Sequence, residues 1–142
     1  MPRAATGVKF DLYELDNPHL AAGLLKVFPR ELPEPLMTFA LYYEIVRIDK
    51  TPKFLQTVAI KALVAQLPSE NYALLRHIAK FLTQIRSHCD VNRMNANNLA
   101  AVFGPHLAWP RDDKLEKFHH KQLTNFVYRI IINYDGIFEA KL

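Results

Sequence analysis

Proline placement constrains this chain more than any other feature. Pro18, Pro29, Pro33, Pro35, Pro52, Pro68, Pro105 and Pro110 punctuate it, and the segments between them carry apolar residues at helical spacing. Proline has no backbone N–H and clashes with the carbonyl four residues back, so it opens or ends a helix and rarely sits inside one. The pattern predicts a first helix opening at Asn17-Pro18, with Leu20, Leu24, Leu25 and Phe28 as its stripe, ended by the prolines at 29, 33 and 35. A second is predicted over 36–48. A third opens at Thr51-Pro52, with Phe54, Leu55, Val58, Ala62, Val64 and Leu67 as its apolar positions, and stops at Pro68. A fourth opens at Ser69, where Glu70 suits the positive end of the helix dipole, and buries Leu74, Leu75, Ile78, Phe81, Leu82 and Ile85. A fifth, over 96–103, is capped by Asn95 and halted at Gly104-Pro105. The last covers 116–134, with Phe126, Val127, Ile130 and Ile131 as its stripe and Gly136 as its stop. The run "FVYRIIINY" is the one strand-like stretch, and its helix-spaced neighbours decide for helix. The expected fold class is all-α.

A length of 142 residues fits one domain, and a hydrophobic share of 50% is enough for a real core. Residues 1–8, "MPRAATGV", have neither cap nor stripe and read as a disordered or appended arm, leaving 9–142 as the helical domain. Eighteen Lys and Arg against 14 Asp and Glu give a net charge of +4 without any basic run, which serves solubility and argues against a nucleic-acid partner. The lone Cys89 excludes an intrachain disulfide and a thiolate-rich zinc cluster, and favours a reducing, cytoplasmic setting. Apolar runs are too short to span a bilayer and the N-terminus has no signal-peptide layout, so no direct membrane insertion is expected.

The usual catalytic signatures are missing. G-x-x-x-x-G-K-[ST], G-x-S-x-G and H-E-x-x-H do not occur. His119 and His120 are adjacent, so on a helix they diverge by ~100° and cannot share a metal face. His88-Cys89 has no second thiol nearby, and Glu31 and Glu34 flank a proline turn suited to solvated charges. No metal, cofactor or catalytic residue is therefore assigned. Two segments stand out. In "LLKVFPRELPEPL", Lys26 and Arg30 are four residues apart, which puts them on one face of a continuing helix. In "NNLAAVFGP", Leu99, Val102 and Phe103 turn to the core while Asn98 lies at the edge of that stripe. As plain local structure, the first is a solvated pair and the second is a helix start.

Together these segments carry a resemblance. "HLAAGLLKVFPRELPEPLM", then "LPSENYALLRHIAKFL", then "VNRMNANNLAAVFGPHL", closed by "FVYRIIINYDGIF", resemble in order and spacing a RhoGAP domain, the GTPase-activating module for Rho-family small G proteins. The resemblance runs from about residue 9 to 138. It implies an all-helical bundle whose partner is a Rho-family GTPase in its GTP-bound state. It further implies that Lys26 and Arg30 are the basic pair beside the GTPase and help hold the catalytic loop, that Asn98 is the contact amide, and that Pro105 edges the same surface. Asn97 is then left to serve the helix start. Two departures bear on activity. The family's catalytic arginine lies upstream of the LLK segment in a G-x-F-R-x-x-G-like stretch, and this sequence contains no such stretch. The expectation is thus an N-terminally truncated bundle that binds but stimulates hydrolysis weakly or not at all, and that self-associates through apolar surface left by the missing helices. Pro29 also stands between the basic pair, where the family usually has an apolar residue, and loses the bond to the Leu25 carbonyl. A helical interaction or scaffold module without GTPase-activating function is the alternative.

Overall fold

A computed structural model describes residues 33–112 and 119–139 of the chain. Among them the helices are α1 (Tyr42–Ile48), α2 (Lys53–Val64), α3 (Ser69–Ser87), the single turn α4 (Cys89–Asn92), α5 (Ala96–Leu107) and α6 (His120–Ile132), followed by a π-helical turn at Asp135–Glu139. The expected all-α class holds. The helix expected from Asn17 and the arm at 1–8 lie outside the described residues.

The core is built where α5 packs on α6, with α3 and α1 closing its sides. Leu99, Ala100 and Phe103 of α5 are wholly buried, and Leu123, Phe126, Val127, Ile130 and Ile131 of α6 meet the same core. The stripes read from the sequence for α3 and α6 are the buried ones, because each helix offers a single apolar face. Gly104 sets how close α5 and α6 come. A Cβ there would sit 3.1 Å from the Leu123 carbonyl carbon and oxygen and 3.2 Å from the Thr124 nitrogen. These are backbone atoms that cannot step aside.

Four expectations need correction. Helix α1 begins at Tyr42 and not at Leu36. Thr38 takes a left-handed φ of 68°, which a helix cannot contain. The Phe39 N–H donates to Glu34 Oε2 at 2.9 Å, while the Met37 N–H reaches across to the Leu107 carbonyl at 3.1 Å. Residues 36–41 are thus spent on tying the chain to the end of α5.

In α2 only part of the expected face is buried: Val64 and Leu67 are inside as expected, but the earlier positions of the stripe are not. Gln56, Ile60, Leu63 and Val64 point inward, while Phe54, Leu55 and Val58 are exposed. Gln56 is satisfied on one side only: its Nε2 donates to the Thr51 carbonyl at 2.8 Å, while its buried Oε1 has no partner. Helix α5 does not stop at Gly104-Pro105 but runs on to Leu107, with Pro105 inside it. One lost N–H bond near a helix end is tolerated when Phe103 and Leu107 anchor the turn on either side. Finally, Gly136 lies within the π-helical turn, where Ile137 and Phe138 return to the core.

Candidate functional site

The start of α5 is built by asparagines. Asn92 is buried, its Nδ2 donating to the Ile85 carbonyl at 3.0 Å and its Oδ1 accepting from the Met94 N–H at 2.8 Å. That pair of bonds turns the chain at Arg93, whose φ of 63° is left-handed. Asn95 then caps α5, its Oδ1 accepting from the Asn98 N–H at 2.8 Å. Asn98 closes the ring: its Nδ2 donates to the Arg93 carbonyl at 3.1 Å. Asn97 and Asn98 are both exposed. Asn95 is the cap expected from the sequence, while the helix-start duty expected of Asn97 falls to Asn92, Asn95 and, in part, Asn98 itself. The dense run of asparagines in "VNRMNANN", residues that favour turns, caps and the left-handed region, was the signal available for this.

The bond to Arg93 commits one amide hydrogen of Asn98, and a carboxamide has a second N–H and an acceptor oxygen besides. Buried Leu99, Ala100 and Phe103 fix the helix behind it. Pro105 follows seven residues later, nearly two full turns and roughly 10 Å along the axis, so it shares a side of α5 with Asn98. Between them lie exposed Ala101 and half-buried Val102. The result is a low ridge with a carboxamide at one end and a proline at the other. Such a surface admits close approach by another backbone. Lys26 and Arg30 lie outside the described residues, so only Asn98 and Pro105 of the four expected contacts can be placed.

The cap should be measurable. Asn95→Ala is expected to lower stability by about 1 kcal/mol in chemical denaturation.

A second polar cluster lies elsewhere. The Arg76 guanidinium of α3 donates to Glu139, and the Tyr134 hydroxyl donates to Glu139 Oε1 at 3.2 Å. The hydrogen bond from Arg76 holds the Glu139 carboxyl below its usual range, and burial pushes the Tyr134 hydroxyl up. An open hollow of about 360 Å³ beside it is lined by Tyr72, Arg76, His77, Lys80 and Tyr134. Tyr134 and Tyr72 both pack against Phe138, so the cluster fastens the π-helical turn to α3. No group of His, Cys, Asp and Glu among the described residues could hold a metal ion. No helix among them is long and apolar enough to cross a membrane.

Comparison with known proteins bears on the family and the fold. The RhoGAP domain family model matches residues 3–112. Rho GTPase-activating protein 1 of Mus musculus is 42% identical over 106 residues, which is 75% of this chain and 24% of that protein. Rho GTPase-activating protein 68F of Drosophila melanogaster is 36% identical over 137 residues, 96% of this chain and 29% of that protein. Among solved structures, human Rho GTPase activating protein 15 superposes with a TM-score of 0.78 at 28% identity, covering 93% of this chain and 64% of that one. The BH domain from Graf, with a TM-score of 0.77 at 23% identity, shares the fold. The chain belongs to the RhoGAP domain family. It spans 24% and 29% of the length of these two curated relatives.

Proposed function

We propose that this chain docks on the GTP-bound form of a Rho-family small GTPase through the ridge that carries Asn98 and Pro105 and through Lys26 and Arg30, and that by itself it stimulates GTP hydrolysis little. The observation that carries the docking half is the exposed Asn98 carboxamide. It stands on a helix start secured by Asn92 and Asn95 and backed by a buried face, so little ordering is left to be done on binding. Family membership supplies the partner class, since the relatives' names declare activation of Rho GTPases. The catalytic half rests on the sequence. An arginine placed on the transferring phosphoryl group is worth roughly 10³–10⁵ in GTPase rate. No G-x-F-R-x-x-G-like stretch occurs in this chain to supply it. What remains is docking and steadying of the partner's switch loop. A reducing cytoplasmic setting fits the single exposed thiol of Cys89.

Single-turnover hydrolysis by a GTP-loaded Rho-family protein, with and without this chain, tests the catalytic half. A rate near the intrinsic one, together with measurable capture of the GTP-bound form, is expected. Strong acceleration at micromolar chain would refute the weak-stimulation reading. Failure to capture any Rho-family member in either nucleotide state would refute the docking.

A further inference from the structure

The geometry points to the outer face of α2 as a surface that lies on an anionic lipid bilayer. Helix α2 is apolar on two opposite sides. Its inner side, Ile60, Leu63 and Val64, is buried. Its outer side should be polar on a protein that meets only water, and it is not. Phe54 is 82% exposed, Val58 65% and Leu55 43%. At ~100° per residue, Phe54, Val58, Ala62 and Ala65 fall within one quadrant of the helix, with Leu55 just beyond it. Ala62 and Ala65 are exposed as well. Three large apolar side chains gathered on one exposed helix face is the kind of patch that marks an interaction site.

The occupant is read from the charge around the patch. Residues 47–66 carry four cations, Arg47, Lys50, Lys53 and Lys61, against one carboxylate, Asp49, and the π-helical turn packed beside Thr57 adds the exposed Asp135. Both Asp49 oxygens accept from the Asn125 amide, at 3.3 and 3.1 Å, on the α6 side. Arg47, Lys50 and Lys53 are exposed, and Lys61 lies within one turn of both Val58 and Ala65 on the outer side. Helix α2 itself contains no acidic residue. An apolar face with an aromatic at its end, Lys61 at its margin and the exposed Lys53 at the start of the helix suits the boundary of a membrane. The ring and aliphatic side chains enter the acyl edge there, and the lysine stems reach back to the phosphates. A convex helix face of this kind offers no groove to grip a peptide. The absence of membrane insertion expected from the sequence rested on the length of apolar runs. A helix lying on a bilayer needs an apolar face, and on α2 it takes the folded structure to show which face stays outside.

The inference does not depend on the proposed GTPase docking, which uses α5. Co-sedimentation of the full chain with vesicles of phosphatidylcholine alone, and with vesicles that also contain phosphatidylserine, tests it. Preferential sedimentation with the phosphatidylserine vesicles, weakened by added salt, is expected. Phe54→Ser with Val58→Ser should lower that partitioning about tenfold or more, as should Lys53→Glu with Lys61→Glu. Both pairs should keep the wild-type melting temperature and the wild-type capture of a Rho-family GTPase. Equal sedimentation with both vesicle types, or serine variants that partition like wild type, overturns the inference. A concentration-dependent mass in light scattering that the serine pair abolishes would assign the face to a second copy of this chain. A fall of several degrees in melting temperature for the serine pair would assign it to the chain's own residues. Either result also overturns it.

Discussion

Phe103→Ala is expected to destabilise the fold by roughly 3–5 kcal/mol, the cost of emptying a large site in a packed core. Phe103 is wholly buried between α5 and α6, next to wholly buried Leu99 and Leu107 at 1% exposure, so few neighbours can move in to fill the space. The adjacent residue fails in the opposite way. Gly104→Val would press a branched side chain into the Leu123 and Thr124 backbone at separations near 3.1 Å. Since those atoms belong to a helix, α5 and α6 must part, at a cost of about 1–3 kcal/mol or more. Urea denaturation of both variants checks the pair. A large loss for Phe103→Ala with no loss for Gly104→Val would mean that the two helices are less closely packed than described.

Asn98→Ala is expected to reduce capture of a GTP-loaded Rho-family protein by roughly tenfold to a hundredfold. That corresponds to about 1–3 kcal/mol for removing a polar group whose partner is left unsatisfied in an interface. The same substitution removes the bond to the Arg93 carbonyl, an exposed bond worth ~1 kcal/mol to the fold. Binding and stability must therefore be read separately, and Asn95→Ala does this. It loosens the same turn through the cap but leaves the carboxamide at 98 in place. Weak capture by Asn98→Ala beside near-normal capture by Asn95→Ala supports direct contact. Equal losses in both would assign Asn98 a purely structural duty, and no loss in either would remove the ridge of α5 from the docking surface.

Helices with one apolar face were legible from the residues. The stripe of α3 from Leu74, itself half-buried, to Ile85 and that of α6 from Phe126 to Ile131 allow only one way of being buried. Helix α2 was not legible. The expected stripe takes Phe54, Leu55, Val58 and Ala62 together with Val64 and Leu67, although only the last two share a face with Ile60 and Leu63, and periodicity does not choose between the two faces. Residues 36–41 misled in another way. Their composition suits a helix, yet the hydrogen bond from Met37 to Leu107, from one segment to another far along the chain, holds them as turns.

At the site, motif order alone singled out Asn98 and Pro105, because the spacing of "NNLAAVFGP" is a local property. How that segment is held was a matter of the whole α3–α5 corner, where Asn92 grips the end of α3 and Arg93 turns left-handed.

The sequence by itself determined helical class, family and most helix starts, since these depend on neighbours a few residues apart: prolines, caps and repeats of three and four. Only tertiary structure decided which face of α2 is inside, that α5 passes through Pro105, and where α1 begins. Each of those is an outcome of competition between contacts distant in the chain, and the winning contact is the one that fills the common core.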